Sequence, residues 1–389
     1  MHPITGPGVE SGPERECRGA PAGTLGPMKT MACFVSPHGF GHAARACAVL
    51  DALIRMRPTL RFHIFTTVPR WFFAESLSDC FEYHHCCTDV GLVQVSPLEE
   101  DLEATVDALD RAGWRDSNVI DVLARYVGQL GCTLVLADIS PLGLRVARRA
   151  GLASVLVENF TWDWIYHNID APAALAAHGD ELVADFAAAD LRIQTNPVCR
   201  TVTGAIRVGP VARTPRRSRA ETRRRLRIPD ADPMVLASMG GVSWDYGPLD
   251  RMAGADGPWV VVPGGAEGEM RRGRLLALPF HSKYFHPDLV HAADVVVGKL
   301  GYSTVAEVCH AGTALAYVER PRFPESPVLA QFVDRNLTAV MLEPAAFATG
   351  EWLPGVHEAL AAPRKASAFG DGATEAAAAI LQCFSDVLG

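Results

Sequence analysis

The stretch MACFVSPHGFGHAARACAVLDALI, residues 31–54, decides the fold class. Residues 31–35 form an uninterrupted apolar run of strand length, and residues 42–55 carry apolar side chains at helical spacing. Between them lies Ser36-Pro37-His38-Gly39-Phe40-Gly41, a turn whose two glycines let the backbone bend tightly and a ligand approach it. Strand, glycine turn and helix together open a βαβ unit. The helix start offers free N–H groups and partial positive charge to an anion. His42 stands at the mouth of this turn, where an imidazole serves as a general base near neutral pH. The position equally suits a turn histidine bonded to backbone, and the loop does not match G-x-G-x-x-G.

Outward from this unit the same alternation repeats. Strands are expected at residues 61–66, 133–137 and 154–157, with a helix at 143–150 and a helical segment across 98–130 that carries Trp114. At 208–220 glycine, proline and arginine crowd together, and beyond that the pattern restarts with strands at 234–238, 259–262, 295–297 and 315–318. The expected organisation is α/β: an N-terminal Rossmann-like doubly wound domain at 28–207, a linker at 208–220 and a second such domain at 221–389. The last helix is expected to pack back on the first domain. Residues 1–27, rich in Gly, Pro and Glu without an apolar core, are expected to be a disordered extension rather than a signal peptide, ahead of a start at Met28 or Met31.

The chain has 389 residues, 49% hydrophobic and 21% charged, with net charge −8, which supports two cores and argues against disorder or a coiled coil. With a pI of about 5.9 it is no generic nucleic-acid binder. Eight arginines between Arg213 and Arg227 read either as an anionic-surface patch or as a linker entering a solvated helix; in an acidic chain the second is favoured, which leaves at most peripheral membrane contact. Lysine occurs only at positions 29, 283, 299 and 365, a skew expected of a GC-rich bacterial genome. Ten cysteines with no C-x-x-C repeat read as reduced thiols of a cytoplasmic protein, and no apolar run reaches membrane-spanning length.

Three further positions carry chemistry. Asp138 ends a buried strand and either supports His42 or caps a helix opened by Pro141. Ser238-Met239-Gly240-Gly241-Val242-Ser243 and Gly298-Lys299-Leu300-Gly301-Tyr302-Ser303-Thr304 are strand-to-helix glycine turns suited to a diphosphate, with Glu307 one turn further able to accept from a ribose. Neither is a Walker loop. Asp230-Ala231-Asp232, between prolines, reads as a solvated turn rather than a metal motif. His84-His85-Cys86-Cys87 is not read as a zinc site, because contiguous ligands converge on one ion only with distant partners.

With these four loops together, the chain resembles the GT-B glycosyltransferases that use nucleotide-diphosphate sugars. It is similar to plant UDP-glycosyltransferases, lipid II-forming N-acetylglucosaminyltransferases and, in particular, the glycosyltransferase-like N-terminal half of plant arabinokinases. The matching stretches are PHGFGHAARACAVLDALI, ADISPLGLRVARRAGLASVLVENFTWDWIY, HPDLVHAADVVVGKLGYSTVAEVCHAG and ERPRFPESPVLAQF, across residues 31–333. The kinase half of arabinokinase is absent, so kinase activity is not implied. The resemblance implies an inverting, metal-independent transfer with His42 as base and Asp138 as its partner. It also implies a donor site of Gly240, Gly241, Ser243, Tyr284, Phe285, Lys299, Gly301, Tyr302, Ser303, Thr304, Glu307 and Glu325. An acceptor side of His38, Gly39, Phe40, Gly41, Trp162 and Asp163 completes it. Ser326 stands where many relatives carry Gln, which leaves the donor sugar open. No metal or cofactor is implied beyond a nucleotide-sugar co-substrate, which the resemblance implies to be a UDP-sugar. The expected partners are that donor and an acceptor of unspecified identity, not nucleic acid, and the assembly a monomer or homodimer. A nucleotide-sugar 2-epimerase or hydrolase, or a non-catalytic sugar-nucleotide sensor, is the alternative.

Overall fold

The computed structural model describes residues 28–241 and 257–388; the expected extension at 1–27 lies outside them. Two seven-stranded sheets, each flanked by helices, organise the chain. The first runs in spatial order Phe81–His85, Leu60–Thr66, Lys29–Val35, Cys132–Asp138, Ala153–Glu158, Leu191–Thr195 and Ile206–Val208, all parallel. The second runs Met270–Arg272, Leu275–Leu278, Trp259–Pro263, Met234–Ser238, Val295–Lys299, Ala314–Val318 and Ala339–Met341, with only Met270–Arg272 antiparallel. The near-continuous apolar runs are what parallel strands buried on both faces require.

In each sheet the strand order reverses beside the half's first strand. Lys29–Val35 pairs Cys132–Asp138, with Val35 opposite Asp138, and Met234–Ser238 pairs Val295–Lys299, with Ser238 opposite Gly298. Ligands of open α/β sheets bind at such switch points, beyond the carboxyl ends of the strands. Both pairs of motif loops leave from those ends.

Several elements differ from expectation. The segment at 98–130 is largely helical, as expected, but is broken in two. Leu102–Asp110 and Ser117–Gln129 are separate, and each starts on an aspartate cap: Asp101 accepts from Ala104 N and Asp116 from Asn118 N. The region between Val208 and helix Arg219–Leu226 is irregular. The arginines from Arg213 to Arg227 are divided: Arg216, Arg224, Arg225 and Arg227 are exposed, whereas others are drawn into ion pairs. Arg223 is fully buried, donating to Asp294 at 2.6 Å and to the Ala292 carbonyl at 3.0 Å, and Arg217 pairs with Asp288 at 3.1 Å. They fasten that helix to the helix His286–Ala292. Asp232 accepts from the Trp259 indole at 2.9 Å, a structural use of the D-x-D turn.

The helix Gly372–Cys383 returns to the first domain. Ala373, Ala376, Ala377 and Ile380 share one core cluster with Met31, Val49 and Leu53, and Glu375 accepts from Gly209 N at 2.8 Å. No described helix is long and apolar enough to cross a membrane. The nine described cysteines are all free thiols.

Candidate functional site

The helix Phe40–Met56 begins at Gly39, whose φ of 74° and ψ of 178° belong to a region open essentially to glycine. This turn directs His42 inward. From the neighbouring strand end comes Asp138, fully buried. The alternative of Asp138 as a helix cap does not hold, because Ser140 caps that helix, accepting from Gly143 N at 3.2 Å, with Pro141 in its first turn. Asp138 is thereby left to His42, whose Nδ1 lies 3.0 Å from its Oδ1. Ile139, just past it, holds a strained φ of 44°.

A carboxylate can only accept, so His42 Nδ1 carries the hydrogen and Nε2 keeps the free lone pair. Arg45, one helical turn beyond His42, donates to the same carboxylate through Nε at 2.8 Å and Nη2 at 2.6 Å, and also donates to Asn159 Oδ1. Burial works against an ionised Asp138, but Arg45 and the His42 bond outweigh it and hold the carboxyl below its ordinary range. Burial pushes His42 down from the ordinary histidine value, against the pull of Asp138, so its imidazole is neutral at pH 7. His38 is pushed further down, by burial and then by His42, Lys299 and Arg320.

Across the cleft, the helix Tyr302–Ala311 starts at Gly301 and presents its N-terminus with Ser303 and Thr304. Lys299, at the end of its strand, is pushed down to about 7 by burial and by Arg320, with Glu325 opposing. Arg320 donates to Glu325 Oε1 at 2.8 Å, while Glu325 Oε2 is buried without a partner. Glu307 accepts from Arg213 at 3.4 Å and lies 3.1 Å from His286 Nδ1. Burial alone would raise its pKa, but His286 and Arg213 hold it below the ordinary value.

The two halves touch at this point. Phe40 N donates to the Gly240 carbonyl at 3.4 Å, and the Phe40 ring fills the space where a Cβ on Gly241 would stand. Tyr302 packs 5.6 Å from Phe160 and places its hydroxyl 2.9 Å from Cys199 Sγ, both in the first half. Trp162, only 1% exposed, stands edge-on to His38 at 5.1 Å. It is therefore both core and cleft wall.

One cavity is lined by His38, Gly39, Phe40, Gly41, His42 and Trp162 from the first half and by Gly240, Gly241, Tyr284, Lys299, Gly301, Tyr302, Ser303, Thr304, Glu307 and Glu325 from the second. Two expected positions are corrected. Asp163 follows Trp162 by about 100° of helix rotation and turns away from the cavity, accepting from Arg200 at 3.0 Å. Phe285 is buried outside it, its ring beneath the guanidinium of Arg216 at 4.2 Å. Ser243 falls outside the described residues. Arg45, Asn159, Arg213, His286 and Arg320 line the cavity without having been singled out in the sequence. For Arg45 the signal was available, since three residues from His42 on a helix is the same face.

No protein-family model matches the chain. The spinosyn forosaminyltransferase SpnP superposes with TM-score 0.56 at 13% identity, covering 93% of this chain and 95% of that one. Arabidopsis thaliana UGT89C1, solved with UDP, gives TM-score 0.56 at 13% identity over 91% and 99%. The calicheamicin glycosyltransferase CalG4 gives 0.53 at 18% over 93% and 95%. The fold is GT-B. Among curated proteins, the L-arabinokinase of Arabidopsis thaliana is 27% identical over 344 residues, 85% of this chain. The chain spans about a third of that relative's length, 32%. The GT-B fold thus accounts for the paired sheets and the cleft between their switch points.

Proposed function

We propose that the chain is an inverting glycosyltransferase that moves a sugar from a nucleoside diphosphate, a UDP-sugar, to an acceptor hydroxyl or other nucleophile. One observation carries the reading: the buried His42–Asp138 pair, 3.0 Å apart, opens onto the same cavity as Lys299, Ser303 and Thr304. His42 Nε2 takes the acceptor proton as the acceptor oxygen bonds to the anomeric carbon. The bond from that carbon to the diphosphate breaks on the opposite face, and the electron pair leaves with the diphosphate. Asp138 stabilises the imidazolium formed. Developing charge on the diphosphate meets Lys299, the hydroxyls of Ser303 and Thr304 and the start of the helix Tyr302–Ala311, donors already in place before reaction. The scheme calls on no metal or cofactor beyond the sugar nucleotide. Glu307 and Glu325 keep lone pairs for ribose and sugar hydroxyls, and Tyr284 flanks the base end.

The UDP assignment is supported by the fold shared with UGT89C1, which was solved with UDP. The nine cysteines among the described residues, all free, fit a reducing cytoplasmic setting. Titration calorimetry with UDP, GDP and dTDP tests the reading. Binding of UDP in preference to the other two is expected, binding of another nucleotide would correct the donor, and binding of none would refute the proposal.

A further inference from the structure

The HHCC run at 84–87 lacks distant partners in the sequence, but the fold supplies one. His63 lies on Leu60–Thr66, and Glu82 and His84 lie on the neighbouring edge strand Phe81–His85. In the parallel register His63 is opposite Glu82, and Phe65 is opposite His84. Residues two apart on a strand face the same side, so all three side chains emerge on one face. Their ligating atoms all lie within 4.8 Å of one another: His63 Nδ1 is 2.9 Å from His84 Nε2 and 3.6 Å from Glu82 Oε2.

From this geometry we infer that His63, Glu82 and His84 bind one divalent transition-metal ion of the zinc class. Nitrogen and carboxylate ligands sit about 2.0–2.2 Å from zinc, which sets neighbouring ligand atoms roughly 3.3–3.6 Å apart in a tetrahedron. The carboxylate edge already has that spacing, and the two rings need part by only a few tenths of an ångström. Two imidazole nitrogens facing one another without a metal must share a proton; the ion takes its place. The His84 ring is held for this. It stacks on Phe65 at 4.5 Å, and its Nδ1 lies 3.4 Å from the Tyr126 hydroxyl, which accepts the Nδ1–H and leaves Nε2 for the metal. Glu82 is exposed and His63 buried, so the fourth position faces solvent and takes water. None of the three lines the substrate cavity, so the ion clamps the edge strand to its neighbour and takes no part in transfer.

The test is an optical titration of the full-length, metal-stripped protein with Co²⁺, followed by Zn²⁺ displacement. One equivalent is expected to give a visible absorption band without sulfur-to-cobalt charge transfer, and to be displaced by Zn²⁺. The His63→Ala/His84→Ala double variant is expected to lose the band. Glu82→Gln, at an exposed position, keeps the fold and weakens binding, and Tyr126→Phe weakens it by about 10–100-fold. Circular dichroism confirms that each variant is folded. The same Co²⁺ stoichiometry and affinity in the wild type and the double variant, a thiolate band, or no wild-type binding at all would overturn the inference.

Discussion

At the residue scale the chemistry depends on which groups carry charge at neutral pH. The His42 pKa lies below the ordinary value because burial outweighs Asp138. A base works only when unprotonated, so kcat/KM is expected to hold as pH falls past the usual histidine value of about 6.5 and to drop only below it. Asp138→Asn removes the acceptor that fixes the tautomer. It is expected to lower kcat by roughly 10²–10⁴ while leaving nucleotide affinity nearly unchanged, as read from parallel kinetics and calorimetry. Lys299, at about 7, is half protonated in the free protein at neutral pH. A bound diphosphate raises it, so UDP binding at pH 7–8 takes up a proton and weakens as pH rises. Calorimetry in buffers of different ionisation enthalpy reads that uptake; it is expected to vanish in Lys299→Met. Identical heats in all buffers for the wild type would remove Lys299 from the diphosphate site.

At the element scale, the strands and glycine turns were legible because parallel strands buried on both faces must be apolar, and a strand-to-helix turn at a ligand needs glycine. What the sequence concealed depended on partners far along the chain. Arg217 and Arg223 read as solvated along with their exposed neighbours because their partners, Asp288 and Asp294, lie about 70 residues on. The break at 111–116 was written locally, in Gly113 and Asp116, and was hidden by the apolar spacing on either side. Gly241 shows what a turn costs to alter. Its φ is +86°, and an added Cβ would lie 2.2 Å from Phe40 Cδ2. Gly241→Ala therefore combines backbone strain of about 1–3 kcal/mol with displacement of Phe40, and UDP affinity is expected to fall by about tenfold or more. Gly151→Ala is the control: φ is +67° with nothing within 4 Å, so stability drops without a change in nucleotide Kd.

At the scale of the whole molecule, the paired halves were legible from the restart of the pattern, but the side-chain traffic between them was not. Tyr302 against Phe160 and Cys199, and Phe40 against Gly241, are contacts that no spacing within one half reveals. The return of Gly372–Cys383 ties the C-terminus to the first core. Ile380→Ala is thus expected to cost about 2–5 kcal/mol and to speed hydrogen exchange in the helix Phe40–Met56, hundreds of residues away in sequence, while leaving the second sheet protected. Equal loss of protection in both sheets would show that the halves unfold as one unit.

The central claim is that one cleft joins a base from the first half to a diphosphate site in the second. Comparing wild type with His42→Ala tests it most directly, with sugar transfer and nucleotide affinity measured on the same samples. Transfer is expected to fall by roughly 10²–10⁴ while the Kd for the nucleoside diphosphate stays within about threefold. Undiminished transfer in the variant would contradict the claim.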